Sequence, residues 1–280
     1  MRENNRILIR GAGDIATGTI QKFVRAGYQV LATEAKHPSA IRRHVSLCEA
    51  VYEGSWTVED ITAIHAASVS EALEIMNHGK VAILIDPNCE CLGEVQPIAV
   101  VDAILAKKNI GTNRAMAPIT VALGPGFIAG EDVDVVIETM RGHNLGRIIN
   151  QGSALPNTGV PGLIGGIGKE RVLHAPYEGI LRNRRAIGDI VTKGEIIAEI
   201  ESQPIVATID GILRGLIRDC FPVTVGFKMA DIDPRESEKD NCFTISDKAR
   251  CIGGSVLEAV LMLKNNRNHR EHFLQSEGNA

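Results

Sequence analysis

Residues 6–34, RILIRGAGDIATGTIQKFVRAGYQVLATE, decide the fold of the first half of the chain. Residues 6–10 are apolar and β-prone, apolar side chains recur at helical spacing over residues 15–26, and residues 28–34 form a second apolar run that ends in an acid. Between them, Gly-Ala-Gly-Asp-Ile-Ala has the G-x-G-x-x-A form of a turn that approaches a pyrophosphate. The stretch therefore predicts a strand, a glycine turn, a helix and a second strand.

The same alternation continues as far as residue 165. Residues 80–87, KVAILIDP, form the near-continuous apolar run that is typical of a parallel strand covered on both faces, and the sequence after Ser39 predicts a capped helix. Further apolar runs lie at residues 96–106, 117–127 and 133–140. Strands that alternate with helices predict an α/β fold, a Rossmann-like doubly wound parallel sheet over residues 1–165.

The second half begins after a Gly- and Pro-rich stretch, NQGSALPNTGVPGLIGGIGKE, which marks a boundary. Two near-identical segments follow, EGILR at residues 178–182 and DGILR at residues 210–214, each within short alternating strands. This near-repeat resembles the barrel-sandwich fold of biotinyl and lipoyl domains, so we expect a small β domain over residues 166–235. No lysine stands at the hairpin where such domains are modified, and we expect no covalent biotin or lipoate.

Residues 236–280 are expected to form a C-terminal helix with a polar tail. Apolar side chains recur at helical spacing from Ile252 to Leu263, whereas the last residues, NNRNHREHFLQSEGNA, are polar. Gly253 and Gly254 near the start of this helix predict a close approach to another backbone, which returns the helix to the α/β domain.

Composition excludes several classes of protein. A net charge of −4 without a basic cluster disfavours nucleic-acid binding, and no apolar run approaches the roughly 18 residues of a membrane span. No leader-like start is present, so we expect a cytoplasmic protein without a membrane partner. Cys89 and Cys91 are separated by one residue, which differs from zinc-ligand spacing, and we expect no metal site.

The glycine turn supplies the first candidate binding residues. Gly11 would permit the tight turn, Gly13 would admit a phosphate, Ala16 would let helix and strand pack closely, and Glu34 would bind ribose hydroxyls. Asp14 complicates this interpretation because its carboxylate repels a phosphate. Binding would then need a metal ion, a base such as Arg10, or a carboxylate turned outward. A tight turn that simply favours glycine remains the alternative.

Two further segments follow predicted strands, so they lie at the carboxyl edge of the sheet, where ligands of open α/β sheets bind. Arg141, His143 and Arg147 could supply positive charge there, and Gly124 and Gly126 could expose backbone donors to an anion. A second basic group, which contains Arg42, follows the second strand and could supply positive charge near a ribose phosphate, and a solvated helix face explains it equally well. Asp86 and Asp102 end apolar runs, where a metal or base role competes with capping.

Several motifs are spread in order over nearly all of the chain: RGAGDIATGTI, EAVYEG, VVDAILAKKN, LGPGFIAGEDVDVVIETMRGHNLGR, NTGVPG, ERVLHAP and ISDKARCIGGSVLEAVL. Together they resemble a bacterial family of selenium-dependent molybdenum hydroxylase accessory proteins, often labelled YqeB, and more distantly the XdhC/CoxI accessory factors. The resemblance implies a role in the maturation of such an enzyme. It implies the molybdenum cofactor or its nucleotide form as a ligand, and the hydroxylase or its maturation factors as partners.

Two other functions stay open at this stage. A Rossmann-like crevice with glycine turns and arginines suits a small phosphate-bearing ligand in general, so an NAD(P)-dependent oxidoreductase is one alternative. A non-catalytic interaction scaffold is the other. The sequence does not decide whether the protein turns over a substrate, nor whether it forms a homo-oligomer.

Overall fold

The first 34 residues contain the unit that their sequence predicts. In the computed structural model, which describes residues 4–160 and 162–277, β1 (Arg6–Arg10), α1 (Asp14–Arg25) and β2 (Gln29–Glu34) follow one another. The two strands pair in parallel, with Ile7 opposite Val30.

These two strands lie near the middle of a nine-stranded sheet. Its other strands are β3 (Ser55–Val58), β4 (Ile61–Ala66), β5 (Val81–Ile85), β6 (Ala99–Asp102), β7 (Ile119–Leu123), β8 (Val135–Ile137) and β9 (Ile148–Ile149). The spatial order is β3-β4-β5-β2-β1-β6-β7-β8-β9. Neighbours are parallel except at the two edges, where β3 pairs with β4 and β9 with β8 in antiparallel fashion.

Both faces of this sheet are covered. The remaining helices are α2 (Ala50–Glu53), α3 (Val69–Asn77), α4 (Leu92–Val95) and α5 (Asp247–Glu277), with 3-10 turns at Arg43–Val45, Leu47–Glu49, Lys169–Arg171 and Glu236–Cys242. Side chains of α1 and α5 pack on one face and those of α3 and α4 on the other. Burial on both faces explains why the central strands read as continuous apolar runs.

The long helix α5 lies against α1 through glycine. A Cβ atom on Gly253 would lie 2.6 Å from the carbonyl oxygen of Gly18, and one on Gly18 would lie 2.6 Å from the carbonyl oxygen of Ala249. The predicted close approach of this helix to the α/β part is therefore confirmed for Gly253. The helix continues to Glu277, so most of the expected polar tail is helical, and residues 278–280 lie outside the described residues.

The second half of the chain forms two antiparallel sheets of four strands each. The strands are β10 (Val172–His174), β11 (Gly179–Asn183), β12 (Ile190–Val191), β13 (Ile196–Ile200), β14 (Gln203–Val206), β15 (Gly211–Leu216), β16 (Pro222–Val223) and β17 (Lys228–Asp233). One sheet has the order β10-β17-β15-β12 and the other β14-β13-β11-β16, and their inner faces share one apolar core. The two copies of the near-repeat thus fall in different sheets, in β11 and β15.

The expected fold class is wrong. A Rossmann-like sheet orders its parallel strands 3-2-1-4-5-6, whereas here β5 lies between β2 and β4, and both sheet edges are antiparallel. Loops rather than crossover helices follow β6 and β7, and the C-terminal α5 covers the face that such helices would occupy. The chain therefore has a mixed nine-stranded sheet and two separate antiparallel sheets in place of a doubly wound domain with a biotinyl- or lipoyl-like appendage.

The two halves meet along β15 and the segment after β2. The amide of Leu216 donates to the carbonyl oxygen of Ile41 at 2.9 Å, and the Arg43 Nε atom donates to the carbonyl oxygen of Leu216 at 2.8 Å. The Arg218 guanidinium lies 2.9 Å from the carboxylate of Glu49 and 4.3 Å from the ring centre of Tyr52. Among the helices in the described part of the chain, none has the length and apolar character needed to cross a bilayer.

Candidate functional site

A cleft of about 750 Å³, here called the main cleft, opens at the carboxyl edge of the nine-stranded sheet, where this sheet meets β15 and β17. The segments that follow β1, β2, β6, β7 and β8 all contribute to its wall. Its basic lining residues are Arg42, Lys107, Arg141, Arg171, Arg214, Lys228 and Lys248, and its acidic ones are Asp14 and Asp231. This excess of positive charge in a concave site attracts anions.

The glycine turn forms one wall of the main cleft. Gly11 has φ +91°, and a Cβ atom there would lie 3.2 Å from the carbonyl oxygen of Ala103, so the tight turn requires glycine. Gly13 is the N-cap of α1 and is open, because a Cβ atom there would meet no described atom within 4 Å. Ala16 is fully buried beneath the turn. The helix N-terminus and Gly13 therefore face space that an anion can enter.

Asp14 lines the same wall, and its charge is met by Arg42 of the second basic group. Its Oδ1 atom accepts a hydrogen bond from the Ile15 amide at 2.9 Å, and its Oδ2 atom lies 3.7 Å from Arg42 Nη1. Arg10, the base expected beside it, is instead buried 3.6 Å from Asp102. Within the described residues, no group of three His, Cys, Asp or Glu side chains is placed to hold a metal ion.

Glu34 holds the glycine turn. Its carboxylate accepts hydrogen bonds from the amides of Ala12 and Ala35, each at 2.9 Å, and burial raises its pKa. These bonds fix the turn against the end of β2 and occupy both carboxylate oxygens. The ribose role expected of Glu34 stays a prediction, and its observed contacts are with backbone.

Other acids at strand ends also bind backbone amides. Glu138, buried at the end of β8, accepts from the amides of Thr139, Met140 and Leu155, each at 2.8 Å. Asp86 accepts from two amides of the turn after β5 in the same way. Asp102 accepts from the Ile104 amide and lies beside Arg10. Glu138 and Asp102 therefore shape loops that line the main cleft, whereas the turn held by Asp86 lies outside its lining.

Two arginines from different halves of the chain converge in the main cleft, and we call Arg42 and Arg214 the arginine pair. Arg42 is 9% exposed, and its Nη2 atom donates to the carbonyl oxygen of Asn241 at 3.0 Å. The Nε atoms of both arginines are buried and have no hydrogen-bond partner in the described part of the chain. Burial, followed by repulsion from Arg214, lowers the pKa of Arg42. The pair thus holds unused donors beside repelling charges.

The segment after β8 contributes one of its three expected residues. Arg141 lines the main cleft and forms a two-bond ion pair with Asp247 at 2.8 and 2.9 Å. His143 and Arg147 are exposed and lie outside the lining of the cleft, where Arg147 donates to Asn144 at 3.5 Å.

Gly124 and Gly126 bring two loops together at the rim of the cleft. The Gly124 amide donates to the carbonyl oxygen of Ile137 at 2.9 Å. Gly126 has φ +108°, and a Cβ atom there would lie 2.6 Å from the Cα atom of Lys108. Pro125, between the two glycines, lines the cleft. The two glycines therefore act here through close approach of backbone.

Lys248, in the first turn of α5, was not recognised from the sequence as a site residue. It is half-buried and lines the main cleft. Burial, followed by the charge of Arg141, lowers its pKa, and the carboxylates of Asp14 and Glu138 oppose this shift. Lys107 and Lys228, also missed, are exposed at the same cleft. These lysines come from segments far apart in sequence, and their positive charge is the only property in the sequence that could have suggested a role in anion binding.

Comparison with known proteins finds one curated relative. Over 258 residues, the chain is 49% identical to a protein of Escherichia coli K12 described as uncharacterized protein YqeB. The match covers 92% of this chain and 47% of that protein, so the chain spans about half the length of its curated relative. No family model matches. The resemblance to molybdenum hydroxylase accessory proteins stays a prediction about kinship, since the name of this relative gives no function.

Solved structures give only distant likenesses. An aspartoacylase family protein from Mesorhizobium loti is 14% identical with a TM-score of 0.29, and the match covers 83% of this chain and 86% of that one. A succinylglutamate desuccinylase from Silicibacter is 12% identical with a TM-score of 0.24, over 82% and 84%. A succinylglutamate desuccinylase/aspartoacylase from Rhodobacter sphaeroides is 13% identical with a TM-score of 0.26, over 82% and 85%.

These comparisons correct the functional expectation. The three solved structures named above are aspartoacylase and succinylglutamate desuccinylase proteins rather than molybdenum hydroxylase maturation factors. The expectation of a maturation factor for a selenium-dependent molybdenum hydroxylase is therefore corrected, whereas the molybdenum cofactor as a ligand and the hydroxylase or its maturation factors as partners stay predictions. At these TM-scores the likeness transfers no reaction to this chain.

Proposed function

We propose that the protein binds a small phosphate-bearing anion in the main cleft. The observation that carries this proposal is the arginine pair: two guanidinium groups from different halves of the chain line a cleft with few acids, and the Nε atom of each is buried without a hydrogen-bond partner among the described residues. Phosphate oxygens accept such donors in short, charge-assisted hydrogen bonds, and the planar guanidinium matches the geometry of a phosphate.

The energetics of the empty pair favour an anion between its members. Buried N–H groups without a partner cost free energy, and two like charges in a site of low dielectric repel each other. Because Arg214 contributes to the lowered pKa of Arg42, the two guanidinium groups lie within electrostatic range. A bound phosphate would place negative charge beside both guanidinium groups and so offset their mutual repulsion.

The remainder of the wall suits the same ligand class. Gly13 is open at the N-terminus of α1, a position where phosphates bind well, and Lys248 and Arg141 line the same cleft. Asp14 is held near Arg42 rather than left as an uncompensated charge, so the acid after the second glycine does not exclude an anion. Its pairing with Arg42 answers the conflict that its position in the turn raises.

Isothermal titration calorimetry with inorganic pyrophosphate tests the proposal. The full chain and its Arg42→Ala, Arg214→Ala and double variants would be titrated at constant ionic strength. If one anion bridges the pair, each single variant loses most of the affinity and the double variant loses little more, since coupled residues are not additive.

The outcome against the proposal is equally concrete. The full chain would show no saturable heat with pyrophosphate, or all three variants would bind it as tightly as the unmodified chain. Thermal unfolding of each variant without ligand would show whether the fold is intact, which separates loss of binding from loss of structure.

We also propose that the protein works in the cytoplasm. The six cysteines, Cys48, Cys89, Cys91, Cys220, Cys242 and Cys251, are free thiols, and four of them are buried. Free cysteines in this number are typical of a reducing compartment. Fractionation of cells that carry the chain tests the location, and recovery with secreted proteins would contradict it.

A further inference from the structure

A second cavity of about 610 Å³, here called the side cavity, adjoins the main cleft. Four residues line both spaces: Arg141, Ile164, Arg214 and Ser246. The two spaces are therefore neighbours that meet beside Arg214, one member of the arginine pair. A ligand held at Arg214 has room to extend in either direction.

The side cavity differs from the main cleft in its charge. Its own arginines are matched by acids: Arg235 forms two bonds of 2.9 and 2.8 Å with Asp233, and Arg250 lies 2.6 Å from Glu59. Arg141 on the shared wall is likewise held by Asp247. Among the described arginines of this cavity, Arg214 alone forms no ion pair within 4 Å. The side cavity is therefore nearly neutral.

The rest of the side cavity offers hydrogen-bonding and apolar groups. Asn241, Thr244 and Ser246 contribute amide and hydroxyl groups, and Leu163 and Ile164 contribute apolar surface. A cavity with this lining suits an uncharged polar body, whose hydroxyl or ring atoms pair with side chains while its faces contact apolar groups.

The wall of the side cavity is also connected to the arginine pair. Arg42 Nη2 donates to the carbonyl oxygen of Asn241 at 3.0 Å and to that of Thr244 at 3.5 Å. The segment that shapes the side cavity thus fixes the guanidinium that faces the main cleft. The arginine pair in the main cleft and the wall of the side cavity are therefore connected by these two hydrogen bonds.

We infer that the side cavity takes the uncharged polar body of the ligand whose phosphate lies at the arginine pair. The ligand class is a phosphate monoester of a neutral, hydrogen-bonding body, supplied by a sugar phosphate or by a nucleoside monophosphate. This inference rests on the proposed function, because the phosphate at Arg42 and Arg214 anchors the body in the side cavity.

The test compares inorganic phosphate with two monoesters, glucose 6-phosphate and adenosine monophosphate, by calorimetry on the full chain. Inorganic phosphate supplies the charged group alone, so any gain reports the body. We expect at least one monoester to bind about tenfold more tightly than inorganic phosphate or better, a gain that needs only modest extra contact. A preference for glucose 6-phosphate identifies a sugar body, and a preference for adenosine monophosphate identifies a nucleoside body.

Filling the side cavity should remove this gain selectively. Thr244→Phe places a ring in the side cavity, and Leu163→Trp does so from an exposed side chain whose replacement leaves the buried core intact. Leu163→Trp should bind the preferred monoester no better than inorganic phosphate, with its affinity for inorganic phosphate unchanged. Thr244→Phe, whose backbone carbonyl also accepts from Arg42, should lose the same gain. Thr224→Phe, at an exposed residue that lines neither space, is the matched control and should keep the full gain.

The failure of this inference differs from that of the proposed function. Equal affinity for inorganic phosphate and both monoesters on the full chain would overturn the side-cavity assignment while phosphate binding stands. A gain that survives both filling variants would overturn it as well. Absence of binding by pyrophosphate, inorganic phosphate and both monoesters would overturn the proposed function itself.

Discussion

The two copies of the near-repeat share a sequence but differ in their surroundings. In β11, Ile180 is 39% exposed and Arg182 points to the surface, where it bonds to the thiol of Cys220. In β15, the matching Ile212 is fully buried and the matching Arg214 lines the main cleft. One copy therefore covers the outside of the β half, and the other builds the candidate site.

The cause of the difference is the contact with the α/β half. Of the two copies, it is β15 that bonds to the segment after β2, where the Leu216 amide donates to the carbonyl oxygen of Ile41. The position directly after the matching segments holds Asn183 in one copy and Gly215 in the other. A Cβ atom on Gly215 would lie 2.8 Å from the Ile41 side chain. Absence of a side chain at that position permits the docking that carries Arg214 to the cleft.

The first glycine of each copy gives the largest expected difference in stability. Gly179 and Gly211 have φ +145° and +150°, so alanine is strained at both. A Cβ atom on Gly211 would collide with the backbone carbonyl of Asp233, whereas one on Gly179 would meet the flexible side chain of Glu201. Gly211→Ala should lower the free energy of unfolding by about 3 kcal/mol or more, and Gly179→Ala by about half of that.

Urea denaturation followed by circular dichroism measures both values. Equal losses for the two variants would contradict the distinction between a rigid and a flexible neighbour. Because both glycines begin a strand, a general requirement for glycine at that position would predict equal losses, and the measurement separates the two explanations.

The matched arginines give the next largest effect, on binding. Arg214→Ala should weaken pyrophosphate affinity by roughly 10- to 100-fold, the equivalent of one lost charge-assisted hydrogen-bonding group. Arg182→Ala removes the same side chain from the same position of the other copy and should leave that affinity unchanged. Calorimetry on the two variants compares them directly, and similar losses would show that binding depends on net charge rather than on the cleft.

The sequence predicts some levels of this structure well and others poorly. The strand, turn and helix from Arg6 to Glu34 follow from local patterning, and the near-repeat is visible in the letters alone. The predicted helix after Ser39 is instead two 3-10 turns followed by the four-residue α2, because distant partners hold the backbone: the Cys48 amide donates to Ala12 and the Leu47 amide to the Thr17 hydroxyl. Such bonds join residues that no local pattern relates.

The candidate site shows the same limit. Gly13, Asp14 and Arg141 stand in recognisable motifs and do line the main cleft. Arg214 could not be chosen over Arg182 from the sequence, since the two segments match almost letter for letter. The role of Arg214 depends on which copy of the near-repeat packs beside Ile41, and this is decided by tertiary contacts rather than by local sequence.

A substitution that makes the β15 copy resemble the β11 copy should affect stability and pyrophosphate affinity less than the changes above. Gly215→Asn gives β15 the residue that β11 carries at the matching position, and its Cβ atom would press on the Ile41 side chain and, at 3.2 Å, on the Ile41 carbonyl oxygen. We expect a loss of about 1 kcal/mol in stability, because the Ile41 side chain can yield, and a severalfold loss in pyrophosphate affinity as the arginine pair separates. Thermal unfolding and calorimetry measure the two effects.

The reverse change provides the control. Asn183→Gly gives β11 the glycine, but the side chain that it removes bonds to the Ile217 carbonyl oxygen of the β half at 3.0 Å, so stability should fall while affinity does not change. A loss of affinity in Asn183→Gly equal to that in Gly215→Asn would contradict the view that close approach at Ile41 positions the pair.

The smallest expected difference lies in the pH response of the cleft that Arg214 lines. Because the pKa of Lys248 is lowered by burial and by Arg141, its ammonium group is lost at a lower pH than that of an ordinary lysine. A bound anion favours the ammonium form and raises this pKa, so binding takes up protons at alkaline pH and affinity falls as the pH rises. With sulfate as the probe, whose charge is constant, the loss of this one cation should weaken binding by roughly threefold.

Lys248→Arg stays charged and should shift the fall in sulfate affinity to higher pH, whereas Arg182→Ala should leave the pH profile unchanged. A profile that is the same in Lys248→Arg and in the unmodified chain would assign the response to another group and remove Lys248 from the site.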